Sequence, residues 1–115
     1  MELPVVNHPD YVAKINDDNK FPIKKFGALA EHLLSEGVVK EFFIPQECST
    51  ETMKTSHSLE YINHIRNKTL DIKLQKKIGF PINDSVVRRS FVATGGTVLA
   101  SRLALDAKLA CNTAG

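Results

Sequence analysis

Apolar residues recur along this chain in two rhythms, one helical and one strand-like. From Pro22 onward, Ile23, Phe26, Leu29, Ala30, Leu33 and Leu34 fall at spacings of three and four, the period of one helix face. Pro22 suits a first-turn position and Gly37 the residue just beyond the end, so the spacing predicts an amphipathic helix over 22–35. Upstream, Pro4, Pro9 and the polar cluster Asn16-Asp17-Asp18-Asn19 predict a short extended piece over Pro4–Asn7, a helical turn over Asp10–Lys14 and a loop. Phe42-Phe43-Ile44 before Pro45 is short and wholly apolar, the mark of a buried strand-like piece. Ser49-Thr50-Glu51 predicts a short helix over 50–56, and Leu59, Tyr61, Ile62 and Ile65 another over 59–67, each needing neighbours to stay helical. Residues 68–77 are mixed and charged, with Ile72, Leu74 and Ile78 as their expected apolar contacts, and Gly79-Phe80-Pro81 breaks the pattern.

The longest element opens at the capping residues Asn83-Asp84-Ser85 and runs to Ala107. Val87, Phe91, Thr94, Val98, Ser101 or Arg102, and Leu105 form one stripe, with Val86, Leu99 and Leu103 beside it. At about 1.5 Å per residue this helix reaches roughly 33 Å, the span of a whole domain. Gly95-Gly96 in its middle costs about 1 kcal/mol per residue relative to Ala, which is explained if another backbone packs closely there. The pair lacks the GxGxxG spacing of a phosphate cradle. After the helix, Leu109-Ala110-Cys111 reads as a strand buried on both faces that opens into the loop Asn112-Thr113-Ala114-Gly115. Helices followed by such a strand predict an α/β fold with helices covering a parallel sheet, and ligands in such folds sit beyond the carboxyl ends of the strands.

Composition narrows this picture. With 115 residues, 43% of them hydrophobic and 24% charged, the chain is sized for one domain and not two. A formal charge of +2 from 15 basic and 13 acidic residues, spread without any tract, argues against direct nucleic-acid binding. No stretch approaches the roughly 18 apolar residues of a membrane span and no leader pattern opens the chain. Cys48 and Cys111 are far apart and outside any CxxC pair, and Cys111 in its apolar run reads as a buried reduced thiol, which places the chain in the cytoplasm.

Local chemistry is sparse. The histidines are His8, His32, His57 and His64; His57 and His64 are seven apart with no Cys or carboxylate completing a set, whereas a catalytic zinc needs three converging ligands. His57 is expected to be a hydrogen-bonded interhelical residue and His32 a surface one. Ser56, His57 and Glu60 make a nucleophile and base only on paper, because adjacent residues on a helix do not face each other. Arg88-Arg89 is expected to be a solvated pair with one stem on the core, and Tyr11 and Tyr61 core or rim aromatics.

Three stretches carry a resemblance. A Gly79-Phe80-Pro81 step precedes a capped helix bearing Arg88-Arg89-Ser90, Gly95-Gly96-Thr97 and Arg102-Leu103-Ala104-Leu105, and a strand then ends in Asn112-Thr113-Ala114-Gly115. His57-Ser58-Leu59-Glu60-Tyr61-Ile62 agrees with it, as do His8-Pro9-Asp10-Tyr11 and Phe21-Pro22-Ile23-Lys24-Lys25-Phe26. Over most of its length the chain resembles the zinc-dependent histone deacetylase superfamily, in particular its bacterial, class IV-like, acetoin-utilisation-type branch. It departs from that pattern at Ser58, where Asp is usual, and at Asn19-Lys20, where His-Arg or His-Pro is common.

The resemblance implies the amino-terminal part of a three-layer α/β/α arginase/deacetylase-like fold, mostly helical here with one or two short parallel strands. Residues 1–115 are then the amino-terminal portion of a single deacetylase-like domain, ending at the strand that leads into the catalytic loop. Such an enzyme hydrolyses the amide of an acetylated lysine or another acetylated amine with zinc, and its paired histidines and zinc ligands follow the part of the pattern matched here. The resemblance thus assigns this chain no catalytic residue and no metal ligand, and expects no zinc bound by the chain alone. Phe21, Pro22 and Gly115 are expected at the channel mouth or beside the catalytic loop. The expected partners are the remainder of the domain or a second copy, with the acetylated substrate in the complete enzyme. A different class of reading is a non-catalytic remnant or split-gene product acting as a small helical interaction module.

Overall fold

A 24-residue helix, α5 (Asp84–Ala107), forms the spine of the molecule. The structure is a computed structural model and describes residues 2–115. Ahead of α5 come β1 (Val5–Val6), a 3-10 turn (Pro9–Tyr11), α1 (Lys25–Ser35), α2 (Thr50–Met53), α3 (Leu59–Arg66) and α4 (Ile72–Ile78); β2 (Cys111–Asn112) follows it.

The helix ends obey local chemistry. Asn83 caps α5, its Oδ1 accepting from the Val86 N–H at 3.0 Å. Ser49 and Ser58 cap α2 and α3 in the same way. Ser58 stands where the resemblance has Asp, and both residue types fill an N-cap equally well. α1 begins at Lys25, later than the periodicity predicts, because Pro22 to Lys25 is a separate turn closed by a 3.0 Å hydrogen bond. Its end is a Schellman motif: Gly37, at φ +70°, donates to the Leu34 carbonyl and Val38 to that of Leu33. Residues 72–78, read as a mixed stretch, are helical because Asp71 accepts from the Lys73 N–H and Gly79 turns left-handed at φ +92°. Its caps mark α4 where an apolar face does not, since α4 buries none of its residues.

Two core clusters are built on α5. Tyr11, Ala13, Ile23, Phe26, Val86 and Val92 form one; Cys48, Met53, Ile62 and Phe91 form the other. The predicted stripe holds for Phe91, Val87 and Val98, which pack into the second cluster. It fails further along: Ser101 and Arg102 are exposed and Leu105 is 85% exposed, because the last turns of α5 run past the body that would cover them.

The glycine pair is where α5 receives its neighbours. A Cβ on Gly95 would collide with the Gln46 carbonyl oxygen, and one on Gly96 with the Tyr11 hydroxyl. The backbone approach expected from the sequence occurs at Gly95, whereas at Gly96 it is the side chains of Tyr11 and Asn112 that close in. The Cys48 N–H donates to the Phe91 carbonyl at 2.9 Å, fixing the 46–48 segment along the helix.

The sheet corrects the expected fold class. β1 and β2 are two residues each and pair in parallel, Val5 with Cys111 and Val6 with Asn112, and Phe43 adds one parallel bridge to Val6. This is a mostly helical domain with a two-stranded ladder, and not the expected three-layer α/β/α arrangement. Three layers about 10 Å apart, with helices of Cα radius about 2.3 Å outside, need roughly 25 Å; the shortest extent is 17 Å. Both apolar runs read as buried strands are also corrected. Phe43 and Ile44 are exposed, Leu109 is 70% exposed, and Cys111 is exposed, while Cys48 is the buried thiol. An apolar run makes a buried strand only where layers cover both faces; here Asn112 turns to α5 and Cys111 turns away from it.

Two outcomes follow from this packing. Gly95→Ala is expected to lower stability by about 1–3 kcal/mol, as overpacking does, whereas Thr94→Ala at the exposed neighbour stays within about 0.5 kcal/mol; urea unfolding midpoints measure both. With a disulfide reagent, the native protein should titrate only Cys111, and Cys48, whose thiol pKa burial raises, should react only on unfolding.

Candidate functional site

An open groove of about 700 Å³ lies beyond the carboxyl end of β2, between Phe21, Lys25, Phe26, Arg89, Ala114 and Gly115. Its floor is set by a network from three distant parts of the sequence. The Tyr11 hydroxyl, entirely buried, donates to Asn112 Oδ1 at 2.8 Å. Asn112 Nδ2 in turn reaches the Ala93 carbonyl on α5 at 3.3 Å, and Asn112 Oδ1 also accepts from the Ala114 N–H at 3.3 Å. Thr113, buried, donates its hydroxyl to Asn7 Oδ1 at 2.7 Å and its N–H to the Val6 carbonyl. Gly115 then turns left-handed at φ +94°, with its N–H on the Asn112 carbonyl.

The two arginines at the start of α5 divide the work of holding the opening segment, since adjacent helical residues point to different sides. Arg88 donates from Nε to Asp10 and from Nη1 to Glu47, at 3.0 and 2.6 Å, which raises its pKa further. Arg89 is half-buried: its Nε donates to the Tyr11 carbonyl at 2.7 Å and its guanidinium lies 4.6 Å from the Phe26 ring centroid. Burial lowers the Arg89 pKa, opposed by Tyr11. Neither contact was legible in a pair expected to be solvated, because nothing in the sequence links Arg88 to Asp10. Burial pushes the Tyr11 phenol up from 10.0 to about 12, with the Asn112 hydrogen bond opposing it.

Of the expected channel-mouth residues, Phe21 and Gly115 line this groove together, and Pro22 lines a neighbouring depression with Phe21 and Phe80. Asn19, one of the departures from the family pattern, orients Phe21: its Oδ1 accepts the Phe21 N–H and its Nδ2 donates to the Gly79 carbonyl. The histidines do not gather. His8 caps the 3-10 turn by accepting from the Asp10 N–H, and His32 is on the surface as expected. His57 is exposed and stacks on Tyr61, a ring contact where an interhelical hydrogen bond was expected. Glu60 lies 3.7 Å from His64.

Among the described residues, no three of His, Cys, Asp and Glu converge as a metal site requires. The groove offers two cations, Lys25 and Arg89, aromatic walls and a glycine rim. Fold and groove together define a small, mostly helical domain with an open groove at the end of a parallel ladder. No family model matches the chain. It is 41% identical over 117 aligned residues to an uncharacterized protein of Picosynechococcus sp., and the whole chain spans 39% of that protein's length. Among the described residues, no helix is long and apolar enough to cross a membrane.

The Tyr11 network sets a pH signature. The neutral phenol is favoured by folding, so its stabilisation is complete below pH 10 and is lost as pH rises through about 12. Tyr11→Phe should lose about 1 kcal/mol at neutral pH, one buried hydrogen bond, and should show a flatter decline between pH 10 and 12 than the unmodified protein; unfolding midpoints across that range measure the difference.

Proposed function

We propose that this chain is the amino-terminal segment of a zinc-dependent deacetylase, an amide hydrolase of acetylated lysine or another acetylated amine, incomplete as a catalyst by itself. The observation that carries the reading is the Asn112 side chain, held by Tyr11 and resting on Gly96. Gly96 and Asn112 come from one stretch on which the resemblance rests and Tyr11 from another, and in the folded chain they form one unit. That unit fixes the direction in which the chain leaves β2, at the mouth of the groove walled by Phe21 and Arg89. The proposal rests on these segments and not on a layered sheet.

The remainder of the domain is the proposed partner. Val38, Ile44, Leu105 and Leu109 are exposed apolar side chains, a surface for it or for a second copy to cover. Zinc belongs with the residues that the partner brings. The exposed free thiol of Cys111 suits a reducing, cytoplasmic setting. The same apolar surface also favours the second reading, a non-catalytic helical interaction module, and activity separates the two.

The test is acetate release from acetyl-lysine peptides and small N-acetylated amines, with zinc, by the chain alone and by a protein of the relative's full length that contains it. Release by the long form, abolished by a chelator and absent from the chain alone, is the expected result. A folded, zinc-loaded long form that releases no acetate from any of these substrates overturns the deacetylase reading in favour of the module.

A further inference from the structure

A second cavity, independent of the deacetylase reading, lies between α3, α4 and α5. Its volume is about 270 Å³, and its walls include Ile62 and Ile65 of α3, Phe91 of α5 and Phe80 just after α4. At its rim His57 and Tyr61 stand with ring centroids 5.8 Å apart, both exposed enough to present their polar tips to a bound molecule. An apolar cavity of about 150 Å³ stays dry and takes up benzene. The present one is nearly twice that size, with aromatic walls and a polar rim at one end, the ordinary composition of a small-molecule site.

The fourth side of the cavity is α4, and it is the least anchored helix in the fold. Ile78 lines the cavity, yet Ile72, Leu74 and Ile78 are all exposed and α4 buries no residue. Seven residues do not hold a helix in water without packing, so α4 rests on its caps. Both flanks carry backbone in the left-handed region, Lys68 at φ +58° and Gly79 at φ +92°. Lys68 pairs with Asp84 on the surface, and Gly79 donates its N–H to the Gln75 carbonyl and accepts from Asn19 Nδ2. Leu74 and Ile78, one turn apart, share a face. A small rotation at the two flanks turns that face onto whatever fills the cavity, which is how hinges of a few residues work.

We infer that α4 is a lid over a binding site for a small planar aromatic molecule, bicyclic in size and carrying one hydrogen-bonding group that meets His57 or Tyr61 at the rim. The ring system lies against Phe80 and Phe91, and closure seats Leu74 and Ile78 on it.

The probe is 2-naphthol, which is bicyclic and carries one hydroxyl. Titrated into the isotopically labelled protein, it should give saturable amide shifts confined to α3, α4 and residues 80–94. At saturation, exchange of the amides of residues 72–78 should slow at least tenfold. Ser90→Phe places a ring in the cavity and should weaken binding at least tenfold while leaving the remaining spectrum in place. The inference is overturned by shifts that do not saturate or that centre on Leu105 and Leu109, by unchanged affinity in a folded Ser90→Phe protein, or by α4 amides as protected in the free protein as those of α5. Sedimentation showing that a second copy already covers α4 without the probe also overturns it. If Ser90→Phe does not fold, hydrogen exchange on the unmodified protein decides.

Discussion

The close approach of other segments to α5 at Gly95 and Gly96 is the contact on which the rest of this structure depends. On one side the backbone of residues 46–48 lies against Gly95, with the Cys48 N–H on the Phe91 carbonyl. On the other, the Tyr11 hydroxyl and the Asn112 amide occupy the space that a side chain on Gly96 would need. Two glycines inside a helix cost about 1 kcal/mol each relative to Ala. The hydrogen bonds that reach the helix because the side chains are missing contribute about 0.5–1.5 kcal/mol each, and the apolar contacts around them add to that. The helix thereby becomes a platform on both sides, and the two core clusters form around it.

From that platform the groove acquires its shape. Arg88 and Arg89 hold the opening segment to the first turns of α5, one by exposed ion pairs and the other by a half-buried hydrogen bond and a stacked ring. Exposed ion pairs are worth little, so the Arg89 contacts matter more. With Tyr11 fixed at both its carbonyl and its hydroxyl, Asn112 has one position, and Thr113 to Gly115 leave the ladder in one direction.

Thinness explains what the domain leaves open. A body with a shortest extent of 17 Å covers one face of its ladder and part of its helices. The last turns of α5, the loop residue Val38 and the run at Leu109 stay in solvent, and α4 borders a cavity without filling it. Apolar surface of this kind is what a partner or a ligand covers.

Much of the architecture was legible in the residues themselves. Asn83, Ser49, Ser58 and Gly37 state helix ends by chemistry that acts within a few residues, and Gly95-Gly96 states a close approach because the residue type has no other reason to sit there. α4 was missed because its caps, Asp71 and Gly79, act without the apolar period that was sought. Phe42–Ile44 and Leu109–Cys111 were misread for the opposite reason: an apolar run reports what a segment could bury and says nothing about how many layers exist to bury it. Local capping, periodicity and the need for space at two glycines were determined by the sequence alone. Tertiary structure alone decided which face of β2 is covered, that Arg88 finds Asp10, that Tyr11 finds Asn112, and that the layers number fewer than three. Those outcomes depend on contacts between residues as many as 101 positions apart or more, and no local pattern encodes such separations.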